Sequence, residues 1–145
     1  MAESLYYTLA EYLERFGEAE AIRLTDAENA GVPDEYVFAQ AVEDASADMD
    51  AYLAGRYPLP LPSIPRVLKS VAAALVREKL HGTFPTETVT LEADRARKLL
   101  RDLASGTAKL VLEDGAEPEA ASPGPSGVMV SAPARVFTAE TLAKF

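Results

Sequence analysis

At 145 residues with 48% hydrophobic side chains, the chain has the size of one domain and the apolar content for a modest core. It has no cysteine, which excludes disulfides and thiolate metal sites, and no apolar run approaches the roughly 18 residues that a membrane span needs. The net charge of −9 is unevenly placed: residues 1–60 hold 13 acidic and 3 basic side chains, residues 61–145 hold 10 and 11. An acidic surface repels phosphate, so tight duplex binding is not expected. The asymmetry suits head-to-tail self-association, or else two solvated helix faces of opposite sign. Met1-Ala2-Glu3-Ser4 lacks the charged and apolar regions of a signal peptide, so a cytoplasmic protein with no membrane partner is expected.

Thr8-Leu9-Ala10-Glu11 matches a capping box and predicts a short helix to Phe16, which Gly17 ends in a left-handed conformation. Leu9, Tyr12, Leu13 and Phe16 form one apolar stripe, and Tyr6 and Tyr7 are placed to staple its first turn. Glu18 to Leu24 is expected to add a turn or two before a loop through Asn29-Ala30-Gly31-Val32-Pro33. Asp34 is a good N-cap. From there Phe38, Val42, Ala45, Met49, Tyr52 and Leu53 recur at steps of three and four through Ala54, predicting a helix of about 20 residues. Its other face carries Glu43, Asp44, Asp48 and Asp50, which do not converge as a hard cation requires; they read as a solvated or partner-facing acidic surface.

Between this helix and the next lies Gly55-Arg56-Tyr57-Pro58-Leu59-Pro60-Leu61-Pro62-Ser63. Prolines at 58, 60 and 62 predict an extended, stiff connector, with Tyr57, Leu59 and Leu61 alternating as anchors to the helices. Arg56 and Tyr57 are expected to anchor it, or Arg56 to pair internally with an acid of the long helix. Ser63-Ile64-Pro65 then opens a third main helix, with Pro65 at its first position and Val67, Leu68, Val71, Ala72, Leu75, Val76 and Leu80 on a broad buried face. It ends near His81-Gly82, with His81 near the negative end of the helix dipole.

Thr90 is expected to cap a fourth helix with Leu91, Ala96, Leu99, Leu100 and Leu103 inward, Arg95, Arg97, Lys98 and Arg101 outward, and Gly106 closing it. Lys109-Leu110-Val111-Leu112 reads as a short strand or extended segment. Residues 1–112 thus form a mainly α domain of four helices. Residues 113–127, rich in Pro, Gly and Ala, read as a flexible linker, and 128–145 as a C-terminal arm. Arg135, Phe137, Leu142 and Phe145 are its candidate partner-docking residues, since aromatics at a free end gain nothing unless they dock.

No catalytic constellation is present in the sequence. His81 is the sole histidine, Ser63 and Ser70 lie in no nucleophile-elbow pattern, and Gly124-Pro125-Ser126-Gly127 has no lysine after it. The expectation is a non-enzyme with no cofactor and no metal. The basic residues around Arg95 to Arg101 lack interleaved aromatics and sit beside Glu92 and Asp94, so a solvated or subunit-facing surface is expected rather than a nucleic-acid patch.

Taken together, Tyr7, Leu9 and Tyr12-Leu13, Arg15-Phe16-Gly17-Glu18, Leu24-Thr25-Asp26, Ala41 to Ala45, Ala51 to Leu61, Pro65, Leu68, Leu99-Leu100, Leu103, Gly106, Leu110, Arg135, Phe137 and Leu142 carry a resemblance to a phage family. The chain resembles the Mu-like prophage head-completion or head–tail connector proteins, most specifically in the Tyr-Leu-x-x-Arg-Tyr-x-Leu-Pro-Leu pattern from Tyr52 to Leu61. What this resemblance implies is a helical adaptor that assembles as a ring of about twelve subunits. Its partners would be the portal protein and a stopper or tail-terminator protein, with DNA passing through unbound, in the host cytoplasm and then at the virion neck. The alternative is a cytosolic helical binding or regulatory module that uses its C-terminal segment as a docking motif.

Overall fold

The capping box forms as its residues dictate. The Glu11 amide donates to Thr8 Oγ1 (3.3 Å) and the Thr8 amide to Glu11 Oε2 (2.9 Å), which starts α1 (Leu9–Phe16). These contacts come from a computed structural model that describes residues 6–112 and 114–118. Gly17 has a positive φ of 90°, yet its ψ of 155° lies outside the left-handed helical well; it ends α1 and at once begins α2 (Glu18–Thr25), a full helix rather than a turn or two. Only glycine adopts that backbone without strain.

Asp34 caps α3 (Glu35–Leu53) as expected, accepting the amides of Tyr36 (2.8 Å) and Val37 (3.2 Å). Phe38, Ala41, Val42, Ala45, Met49 and Leu53 are buried along one face. In α4 (Arg66–His81), Pro65 stands one position earlier than expected, as the N-cap, and its carbonyl accepts from Leu68 and Lys69. α4 lies between α3 and α5 (Glu87–Ser105), which also touch each other, while α2 packs against α3 and α4. This double cover explains why Leu68, Val71, Ala72, Ala73, Leu75 and Val76 are all buried. Val67, expected on the buried face, is 38% exposed because it falls at the edge of that arc.

The start of α5 differs from expectation. Thr86, not Thr90, is the N-cap, its hydroxyl accepting the Val89 amide (3.4 Å), and Thr90 bonds back to the Thr86 carbonyl inside the helix. The core face is Val89, Ala93, Ala96, Leu100 and Leu103; Leu91, two residues on from Val89, points to the opposite side and is 49% exposed. The described residues therefore hold five helices and no strand. Lys109 to Leu112 has no partner strand and runs as irregular chain with Leu110 and Leu112 buried. Residue 113 and residues 119–145 lie outside the described residues, and with them most of the expected linker and all of the arm, including Arg135, Phe137, Leu142 and Phe145.

Candidate functional site

The connector between α3 and α4 is held from several sides. α3 ends in a tight turn in which the Leu53 carbonyl accepts the amides of Arg56 (3.0 Å) and Tyr57 (2.8 Å). Tyr57 and Leu61 are then buried and Leu59 half-buried, while Pro58, Pro60 and Pro62 between them face solvent. That alternation is the one the sequence implies. The path is bent rather than straight, however, with a cis Leu59–Pro60 peptide, because the chain must reverse from α3 onto the neighbouring α4.

Tyr57 reaches beyond the connector: its hydroxyl accepts the buried amide of Leu110 (3.2 Å). Arg56 lies over the Tyr57 ring, 5.8 Å from its centroid, and against the C-cap of α5. There Gly106 has φ +81°, and a Cβ on it would stand 2.0 Å from Arg56 Nη1. A guanidinium at this place faces the negative end of the α5 dipole. The alternative of an ion pair to an acid of α3 is not realised: Arg56 makes no ion pair among the described residues, and its buried Nε has no hydrogen-bond partner there.

A second node, absent from the sequence reading, centres on Arg77 of α4. Its guanidinium binds Glu20 of α2 in bidentate fashion (2.8 and 3.0 Å), reaches Glu92 of α5 (3.2 Å), and lies 4.5 Å above the Phe16 ring of α1. Tyr12 donates to the same Glu20 carboxylate (2.9 Å). Burial pushes the Glu20 carboxyl up, but the hydrogen bonds from Arg77 and Tyr12 outweigh it and hold the group below its ordinary range. The Tyr12 hydroxyl is raised, by burial first and by its bond to Glu20 second. His81 closes α4 at the expected place, its Nδ1 2.8 Å from the Arg77 carbonyl. The one available signal for this node was an arginine directly after Val76 in the helix with the broad buried face.

The structure splits the acidic surface of α3. Asp48 pairs with Lys79 (2.9 Å) and Asp50 accepts the Tyr6 hydroxyl, so both work within the fold. Glu43 and Asp44 are exposed and remain for solvent or a partner. The basic face of α5 divides likewise: Arg97 is held by Glu78 and Asp94, whereas Arg95, Lys98 and Arg101 are exposed. Among the described residues no group of three His, Cys, Asp or Glu could hold a metal, and no helix is long and apolar enough to cross a membrane.

What these features define is a small helical protein, distinguished by a braced inter-helix connector and by unpaired surface charge. Over residues 6–129 the chain matches the family described as Bacteriophage Mu, Gp36, and it belongs to that family. It is similar to the Mu-like prophage FluMu protein gp36 of Haemophilus influenzae, 36% identical over 84 residues, which covers 58% of this chain and 60% of that protein. It is also similar to Gene product J of Escherichia phage Mu, 37% identical over 86 residues, covering 59% and 61% respectively. The match thus spans about three fifths of the length of each relative.

Proposed function

We propose that this protein is a non-enzymatic head–tail connector that assembles as a ring at the portal vertex and joins head to tail around the DNA channel. Its partners are other copies of itself, about twelve in a closed ring, the portal protein, and a stopper or tail-terminator protein. It passes from the host cytoplasm during assembly to the neck of the virion. Membership of a Mu phage family is the background; the observation that carries the reading is the brace on the connector. Tyr57 on Leu110 and Arg56 on Gly106 tie the path from α3 to α4 to the end of α5. A ring repeats one geometry at every subunit, so a fixed inter-helix angle is useful to it in a way that it is not to a solitary binding module.

Glu43 and Asp44, exposed on α3, suit a lumen through which DNA slides without sticking. The test is deletion of this gene from a phage or prophage that carries it. Filled heads and free tails that fail to join, restored by the gene in trans, are the expected result. Normal joining without the gene overturns the proposal.

A further inference from the structure

We propose that the cleft around Val67 receives the α2–α3 corner of a second copy of this chain, seating Val32 and Tyr36 on its apolar floor and Glu28 and Glu35 on its basic rim. The cleft has two lobes that meet at Val67: one is bounded by Pro65 and Val111, the other by Phe16 and Leu99. Val67 is 38% and Val111 51% exposed, so the floor is apolar surface left open to water. Arg15, Arg66 and Arg95 stand on its rim. Arg66 and Arg95 are exposed and make no ion pair among the described residues, while Glu92, the acid on the same rim, is engaged by Arg77.

The corner is its complement. Val32 and Tyr36 are 57% and 74% exposed, flanked by exposed Glu28, Asp34 and Glu35, and no Lys or Arg occurs between Arg23 and Arg56. It is also held in shape before any contact. Asp26 accepts the amides of Ala30 (2.8 Å) and Gly31 (2.7 Å), which keeps its carboxyl below the ordinary range, and the Asp34 amide donates to the buried Thr25 hydroxyl (2.9 Å). A corner ordered in advance loses little entropy on docking. Opposite unpaired charges around two exposed apolar patches favour corner on cleft over corner on corner or cleft on cleft, in which like charges would meet.

The two patches share no residue and both are open in one molecule, so one copy can offer its corner to a second and its cleft to a third, a heterologous contact of the kind that closes into rings. The inference rests on the ring reading above and deepens it. Because the chain has no cysteine, introduced ones report only their own proximity. Full-length Tyr36→Cys and Val67→Cys, mixed under oxidising conditions, are expected to give a mixed disulfide dimer in large excess over the dimers each forms alone. Arg66→Glu with Arg95→Glu should raise the concentration needed for association by about tenfold or more, and Glu28→Arg with Glu35→Arg in the mixing partner should restore it.

If the wild type associates but the 36–67 cross-link is absent, the corner–cleft contact is wrong while the ring reading stands. A wild type that stays monomeric at every concentration, portal included, together with no 36–67 cross-link between the cysteine variants, overturns both. Preferential intramolecular cross-linking of Val67→Cys to Leu142→Cys in one chain assigns the cleft to the C-terminal arm and also overturns the proposal. Should the double charge reversal impair folding, the cysteine pair decides alone, since Tyr36 and Val67 are both exposed.

Discussion

The Tyr57 hydroxyl accepts the Leu110 amide at 3.2 Å, buried, across 53 residues of sequence. It joins the connector to the chain after α5 through one hydrogen bond whose donor has no access to water. Tyr57→Phe keeps the ring in place and leaves that amide unpaired, at an expected cost of about 1–3 kcal/mol. Chemical denaturation gives the stability change, and hydrogen exchange at Leu110 should accelerate in parallel. An unchanged midpoint would show that the bond contributes nothing.

Gly106 faces two separate constraints, its φ of +81° and the Arg56 guanidinium. Gly106→Ala should cost about 1–2 kcal/mol from the left-handed backbone alone, plus whatever displacing Arg56 adds. The second part is separable: in an Arg56→Ala background the same glycine change should cost less, by an amount that a double-mutant cycle reads directly. Equal costs in the two backgrounds would mean that Arg56 moves aside freely.

Glu20 and Glu11 predict the acid behaviour. For both, burial raises the carboxyl and hydrogen bonds more than reverse it, from Arg77 and Tyr12 at Glu20 and from Lys69 and Thr8 at Glu11. Each therefore binds its proton less readily in the folded state. The stability they contribute is complete above the unfolded value of 4.5 and is lost as pH falls through the lower folded values. Glu20→Gln should cost about 1–3 kcal/mol at neutral pH and flatten the decline of the urea midpoint between about pH 5 and pH 3.

Leu91 and Leu100 test the register of α5. Leu91 is half exposed, so Leu91→Gln should stay within about 0.5 kcal/mol of the parent, whereas Leu100→Ala, fully buried, should cost about 2–5 kcal/mol. Thermal unfolding of the two variants reads the difference, and similar losses would restore the register that starts at Thr90.

Local features were legible in the sequence because their causes are local. The capping box at Thr8, the Asp34 cap and the alternation of prolines with Tyr57, Leu59 and Leu61 all depend on neighbours within a turn. The α5 start was not legible, because Thr86 and Thr90 are both competent caps and only the packing of Val89 and Ala93 chooses between them. Partners far apart in sequence escaped for the same reason: Glu20 meets Arg77 across 57 residues, and Asp50 is taken by Tyr6 across 44. Glu43, Asp44, Asp48 and Asp50 therefore looked like one surface when Asp48 and Asp50 serve the fold. Lys109 to Leu112 has strand-like composition but no strand beside it to pair with.

The central claim is that this braced subunit closes into a ring. Native mass measurement of the full-length protein, over a wide range of concentration and with and without the portal protein of the same phage, tests it most directly. The account predicts one discrete high-mass species, a fixed multiple of the 15.5 kDa chain, that grows with concentration or on addition of portal. A protein that stays monomeric throughout, portal included, would contradict it.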